Sequence, residues 1–368
     1  MTIPQKSFMA GFALSFPFLL LTVVGCCSTK EPVVAPQPQE EHAESEEEEL
    51  VFDYMPQEDA IAFGEIWGYV MAGREKEFDA KMPISDVGYF MSAVGLYSEI
   101  LPVADRDKYF GGYRGRVHVV TSCDSRSQAH LLLDPSLPLR KKIIDGLLQA
   151  AKTYDGLQVD WELIPQRDAD NFISFLQELR DGLGAEKQLT IAVPARIRTL
   201  KDDVFDYARI APIVDRMIVM AYDEHWSTSA PGAIASLAWC KRIADYAASV
   251  IPKEKLVMGL PFYGRTWADY KDINKAFASV GISRIRAENH IEEVERKDGV
   301  PYFTYERTIG VTVWYNDIYS LNCHCQLYRD CGVTNIAFWR VGQEDRDFWQ
   351  TLTLEPQLTD GTAEPSLP

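Results

Sequence analysis

Gln158, Asp160 and Glu162 stand two residues apart in the run Tyr154-Asp155-Gly156-Leu157-Gln158-Val159-Asp160-Trp161-Glu162. On an extended strand successive side chains point to opposite faces. These three therefore share one face, and Leu157, Val159 and Trp161 share the other. Two carboxylates on a strand otherwise built of Leu, Val and Trp are costly to bury without a partner or a task. Such a strand delivers acids at alternating positions to one end of a sheet, which implies a site there.

An acidic strand needs a scaffold, and the chain supplies a repeating one. From about residue 60, short apolar runs alternate with longer stretches of helical period, the pattern of βα units around a parallel sheet. Eight runs can be counted: Glu65 to Val70, Val87 to Val94, Arg116 to Ser122, Gly156 to Glu162, Leu189 to Ala195, Arg216 to Asp223, Leu256 to Gly264 and Asn335 to Val341. Eight is the number that closes a (β/α)8 barrel, in which functional groups gather at the C-terminal ends of the strands. Between the runs, residues 139 to 153 place Ile143, Ile144, Leu147, Leu148 and Ala151 on one helical face. Asp168 can cap a helix that buries Phe172, Phe175, Leu176 and Leu179 and ends at Gly182 or Gly184, and a third helix runs from about Leu237 to Val250. The rhythm breaks between Trp267 and Asp317, where Tyr302, Phe303, Tyr305 and Val311 to Trp314 lie in strand-like pieces. A small α+β insertion over 268–317 is expected after the seventh strand.

The acidic run resembles the DGxDxDxE signature of glycoside hydrolase family 18, the chitinase-like (β/α)8 enzymes, with Gln158 where most carry the middle Asp. Three further pieces fall in order: Glu65-Ile66-Trp67-Gly68-Tyr69 for a first strand, Met220-Ala221-Tyr222-Asp223 for the sixth-strand MxYD pattern, and Phe338-Trp339-Arg340 for the eighth. The resemblance covers roughly residues 60 to 352 and is nearest to the bacterial subgroup of spore-cortex and germination hydrolases.

That resemblance implies a substrate-assisted, retaining glycosidase. Glu162 would protonate the leaving oxygen, and the carbonyl oxygen of the substrate's own 2-acetamido group would attack the anomeric carbon. Asp160 would accept from the acetamido N–H, Tyr222 would donate to its oxygen, Asp223 would line the pocket and Trp339 would floor it. Gln158, Asp155, Met220 and Trp67 join the expected substrate-binding set. Trp339 could instead pack the barrel, and Tyr222 with Asp223 could be a core pair. His225 and Trp226 could meet sugar or pack their loop. Arg196 and Arg340 could meet a lactyl carboxylate or pair with acids on the barrel rim. Gln158 can hydrogen-bond but never titrate, which keeps open a rival reading as a non-catalytic glycan-binding surface lipoprotein.

The chain has 368 residues, of which 46% are hydrophobic, enough for one large domain with a substantial core. A net charge of -17 excludes polyanionic partners such as nucleic acid and leaves a neutral sugar polymer compatible. Lys6 and the apolar run from Phe8 to Val24 form a secretory signal over 1–25. Val23-Val24-Gly25-Cys26 resembles a bacterial lipobox, which implies lipid on Cys26 and an envelope lipoprotein on the exported side of a membrane. Residues 26–58, with their prolines and Glu46 to Glu49, are expected to be a solvated tether, 59–355 the barrel and 356–368 a tail. Seven cysteines include Cys323-His324-Cys325 and Cys331, whose spacing is too tight for a usual zinc site and defines no disulfide connectivity. No metal or cofactor is expected, and the domain is expected to act as a monomer.

Overall fold

The computed structural model describes Phe52 and residues 54–57, 59–95, 99–123, 125–269, 274–306 and 310–355. The expected signal, the Cys26 lipid site, most of the tether and the tail lie outside the described residues. Eight parallel strands close a barrel: β1 Glu65–Met71, β2 Asp86–Ala93, β3 Arg116–Ser122, β4 Gly156–Asp160, β5 Gln188–Pro194, β6 Arg216–Met220, β7 Leu256–Pro261 and β8 Asn335–Trp339. These are the eight runs counted in the sequence. Closure is made by β8 pairing in parallel with both β1 and β7.

Several of the expected runs overshoot at their C-terminal ends, most of all Arg216 to Asp223 and Leu256 to Gly264, where the backbone leaves the ladder after Met220 and Pro261. Pro261 has no N–H to continue a ladder, and the next amide, Phe262 N, bonds to Trp339 O at 2.9 Å. The chain then starts a separate strand, Tyr263–Ala268, which opens the insertion. This segment, Lys275–Ala278, Glu295–Lys297, Val300–Glu306 and Gly310–Trp314 form an antiparallel five-stranded sheet, with helix Ser279–Glu288 against one face. The insertion therefore begins earlier than residue 268.

Alternation sorts the side chains as expected. Leu157, Val159 and Trp161 point outward into the layer beneath the helices, with the Trp161 ring 5.0 Å from Phe175 of helix Ala169–Leu183. That helix buries Phe172, Phe175, Leu176 and Leu179, each contributing about 1.5–3 kcal/mol if fully removed from water. Asp168 occupies its N-cap position but caps no backbone N–H; its carboxylate accepts from His130 Nδ1 at 2.9 Å and from Asn171 Nδ2 of the first turn at 3.2 Å. Gly184 ends it at φ 70, a conformation that costs glycine little. Helices Pro138–Ala150 and Leu237–Val250 match their expected positions.

Inside the barrel, at the N-terminal ends of the strands, lies a charged layer. Glu65 accepts from Arg116 Nη2 at 2.6 Å, from Arg216 Nη2 at 2.7 Å and from Trp67 Nε1 at 3.0 Å. Asp86 accepts from Arg116 Nε at 2.6 Å and from His118 Nε2 at 2.9 Å. Buried charges are tolerated when paired and hydrogen-bonded in this way. Residues 54–57, expected to be tether, are instead bound to helix Ile318–Asp330: Tyr54 donates to Asp330 at 2.8 Å, and Gln326 Nε2 donates to Met55 O at 2.7 Å. Beside them, the short strand Ile61–Phe63 pairs in parallel with Leu352–Leu354.

Candidate active site

A cleft of about 390 Å³ opens at the C-terminal ends of the strands, lined by Asp160, Glu162, Tyr222, Asp223, Tyr263 and Trp339 together with Pro194, Ala195, Met220 and Trp239. Each arrives by a distinct local device. Asp160 is the last residue of β4 and inherits the inward parity of Gln158, while Glu162 lies just past the strand, exposed at the rim. Tyr222 follows a tight turn in which Ala221 N bonds to Val219 O at 2.9 Å. Its ring fits because β7 carries glycine at 259: a Cβ there would sit 3.0 Å from Tyr222 Cε1 and 2.9 Å from Val219 O. Asp223 adopts φ 60, a left-handed conformation uncommon outside glycine, which turns its carboxylate toward the insertion. There it accepts from Tyr263 at 2.6 Å and from Arg265 Nη2 at 2.8 Å. Trp239 is set by the N-terminus of helix Leu237–Val250, where Ser236 Oγ accepts the Trp239 N–H at 3.3 Å.

Burial pushes the Tyr222 phenol well above its ordinary pKa, and the nearby Tyr69, Asp160, Tyr263 and Glu162 push the same way. Tyr222 therefore remains a hydrogen-bond donor at all physiological pH. Tyr69, deeper in the barrel, is raised by burial first and then by Asp160, with the Gln158 amide at its hydroxyl. Its ring lies 5.5 Å from that of Trp339, which also meets Phe90 edge-on at 4.7 Å. Trp339 thus lines the cleft and packs the barrel top at once. The Trp339–Arg340 peptide bond is cis.

Gln158 is fully buried one layer below Asp160, its Nε2 donating to Thr190 Oγ1 at 3.2 Å. It supports the site from beneath and does not line the cleft. Two further expected substrate contacts, Asp155 and Trp67, also lie outside the cleft. Asp155 precedes β4, at the opposite end of the barrel, where it accepts from Val117 N at 2.8 Å and Arg106 Nε at 3.0 Å. Trp67 is wholly buried near the charged layer, its indole stacked 4.5 Å from His118 and bonded to Glu65, out of reach of a ligand.

Both candidate arginines are spent on rim acids. Arg196 grips Asp203 through Nε at 2.6 Å and Nη2 at 3.0 Å, and Arg340 bonds to Glu77 at 2.8 Å. His225 Nδ1 contacts Ala233 O at 2.8 Å and holds its own loop, whereas Trp226 is 52% exposed. Cys323, His324 and Cys325 are buried along helix Ile318–Asp330, with His324 between Ser320 O and Ala235 O. Among the described residues no cluster of His, Cys, Asp and Glu fits a metal, and Cys240, Cys323, Cys325 and Cys331 are free thiols.

Sequence reasoning did not single out Tyr69, Trp239, Tyr263 and Arg265. Tyr69 was within reach of it, since Glu65, Trp67 and Tyr69 alternate on one face of β1. Tyr263 and Arg265 lay hidden because the Leu256 to Gly264 run reads as one strand.

Residues 134–344 match the model of glycosyl hydrolases family 18, and the chain belongs to that family. It is similar to the cortical fragment-lytic enzyme of Bacillus anthracis, with 29% identity over 58% of this chain and 53% of the relative. It is also similar to the uncharacterized glycosylase YvbX of Bacillus subtilis, with 27% identity over 58% of this chain and 65% of the relative. Most of the first such relatives are matched over only about half of their length. In fold it resembles the Bacillus cereus spore cortex-lytic enzyme SleL, with a TM-score of 0.72 and 18% identity over 82% of this chain and 76% of that one.

Proposed function

We propose that this protein is a glycosidase that hydrolyses β-linked, N-acetylglucosamine-containing glycans with retention, using the substrate's acetamido group as nucleophile. The observation that carries the proposal is the convergence of Asp160, Glu162, Tyr222 and Trp339 on one cleft at the catalytic end of the barrel. Glu162, exposed at the rim, is the proton donor to the leaving oxygen. Asp160, set deeper, accepts from the acetamido N–H and stabilises the positive charge of the cyclised intermediate. Tyr222, kept protonated, donates to the acetamido oxygen as that oxygen attacks. Trp339 floors the sugar ring, and Asp223 stands at the wall, steadied by Tyr263 and Arg265.

A sugar without N-acetyl at C2 lacks the nucleophile and is not a substrate. The likeness to a cortical fragment-lytic enzyme favours peptidoglycan or its fragments over chitin. The barrel, over 59–355, acts as a monomer without metal or cofactor, held through lipid on Cys26 at the exported side of a membrane.

The test is incubation of purified protein with peptidoglycan and with N-acetylglucosamine oligomers, products being read by mass spectrometry. Cleavage of N-acetylated glycan with deacetylated glycan inert is the expected result. Binding without turnover would instead support a glycan-binding descendant, the reading that Gln158 in place of a titrating acid favours. Cys26→Ser should abolish detergent partitioning; an unaltered mature N-terminus and partitioning would refute the anchor.

A further inference from the structure

The loops after β4 and β5 frame two cavities. The inner one is the catalytic cleft, to which they give Glu162, Pro194 and Ala195. The outer one, of about 620 Å³, lies between residues 166–170 of one loop and 202–209 of the other. Glu162 and Gln166 are four residues apart, so at most about 14 Å separates the proton donor from the outer cavity.

Both loops are fixed. Gln166 Nε2 donates to Asp202 O at 3.2 Å and joins them, Arg196 clasps Asp203 at 2.6 Å, and Thr199 Oγ1 lies 3.1 Å from the Tyr246 hydroxyl of helix Leu237–Val250. Within this frame the apolar side chains are sorted. Ile164, Val204 and Phe205 are buried as anchors, while Leu163, Ile197 and Leu200 are 43%, 48% and 40% exposed. The exposed three all lie in the stretches between the cleft residues and the Gln166–Asp202 tie. One exposed aliphatic is ordinary, but three on two pinned loops beside an acid make an apolar step from the cleft to the outer cavity.

Charge in the outer cavity is only partly paired. Arg209 is taken by Asp170 at 2.7 Å, and Asp206 caps a turn by accepting from Ala208 N at 2.9 Å. Among the described residues, Arg167 meets an acid only at 3.9 Å, Asp168, and the Asp202 carboxylate meets no cation. The cavity thus offers a ligand one guanidinium and one carboxylate. A neutral sugar answers neither; a short peptide bearing both an amine and carboxylates answers both.

The barrel sets the direction of the leaving group. Trp339 on β8 and Glu162 just past β4 are four strands apart, on opposite sides of the closed ring. A sugar resting on Trp339 with its leaving oxygen at Glu162 sends the leaving saccharide out over the loops after β4 and β5. We propose that these loops hold a short peptide of mixed charge carried by the leaving sugar, its small apolar groups on Leu163, Ile197 and Leu200 and its charged end at Arg167 and Asp202. Three extended residues span about 10 Å, which matches the path. The proposal rests on the glycosidase reading and adds the part of the substrate that sets preference.

The test uses the full chain and a matched pair of substrates, an alternating N-acetylglucosaminyl-N-acetylmuramyl tetrasaccharide with and without alanyl-glutamyl-diaminopimelyl peptides. Expected is a kcat/KM about tenfold higher for the peptide-bearing form. That advantage should be lost in Arg167→Ala and in Ile197→Ser, with the bare tetrasaccharide cleaved as by wild type. Both side chains are exposed, so neither change opens the core. Equal wild-type kcat/KM on the two substrates, or variant losses that are equal on both, would overturn the proposal. Cleavage of N-acetylglucosamine oligomers but of neither tetrasaccharide would also overturn it, with the glycosidase reading intact. If no glycan is turned over, the glycosidase reading fails. The loops are then judged by titrating the peptide-bearing tetrasaccharide into wild type and Arg167→Ala: weaker binding in the variant upholds the peptide site, and equal binding removes it.

Discussion

Gln158 and Thr190, neighbours on β4 and β5, are joined across the barrel interior by a 3.2 Å hydrogen bond from the amide to the hydroxyl. The amide therefore has a fixed donor direction, and it sits directly beneath Asp160 without a charge of its own. Replacing it by Gln158→Asp introduces a second carboxylate coupled to Asp160, and the pair then titrates as a unit. The expected outcome is an altered pH–rate profile with turnover retained. A wild type that binds glycan but is inert across pH, with turnover only in the variant, would overturn the catalytic assignment.

Glu162 is exposed at the mouth, so its removal costs little packing. Glu162→Gln should lower kcat by about 10²–10⁴-fold, the usual worth of a positioned acid, with an unchanged melting temperature. Activity within a few-fold of wild type would remove Glu162 from the role of proton donor.

Tyr222 depends on the bare backbone at Gly259. Gly259→Ala brings a methyl to 2.9 Å from Val219 O and 3.0 Å from the ring, so the ring or β6 must shift. Kinetics should follow those of Tyr222→Phe, with kcat depressed more than KM is raised. Because the Tyr222 pKa is raised, its donor form persists as pH rises through 10, and it should contribute no alkaline limb to the wild-type profile. An alkaline limb that vanishes in Tyr222→Phe would contradict this.

Asp155 and Asp223 should separate structure from chemistry. Asp155→Ala removes the acceptor for Val117 N and Arg106, and should cost about 1–3 kcal/mol of stability with KM unchanged. Asp223→Ala should raise KM by releasing Tyr263 and Arg265 at the cleft wall. Equal kinetic effects would mean that Asp155 acts on the site after all. The measurements are denaturant unfolding and steady-state kinetics on the same preparations.

Asp86 sets an acid limit. Burial alone would raise its carboxyl, but His118 and then Arg116 outweigh that and hold it below the ordinary value. A depressed folded pKa contributes stability that is fully present above the unfolded value of about 4 and is lost as pH falls through the folded one. Asp86→Asn should therefore destabilise most at neutral pH and least in strong acid. A penalty that grew as pH fell would show the opposite sign.

The strands were legible because each is an apolar run of the right length. The cleft was legible wherever parity decides direction: Asp160 must face inward if Trp161 faces the helices. Motif membership was a poorer guide, since Asp155 belongs to the same signature as Glu162 yet sits at the other end of the barrel, just ahead of the strand. Partner choice was not legible at all. That Arg196 closes on Asp203, seven positions along its own loop, depends on loop conformation, which spacing does not encode. The break after Pro261 had a local cause in the missing N–H, but its effect, bringing Tyr263 and Arg265 to Asp223, is tertiary.

Glu65 joins Arg116 and Arg216, the latter 151 residues away, and its strand gains its second neighbour only when Asn335 arrives. During synthesis the first strand must wait, half-bonded, for nearly the whole chain. The matched region 134–344 contains neither β1 nor β2 nor β3. A recombinant fragment cut to those limits would expose two raw sheet edges and leave Arg216 without its carboxylate, so it should aggregate where the longer chain stays in solution.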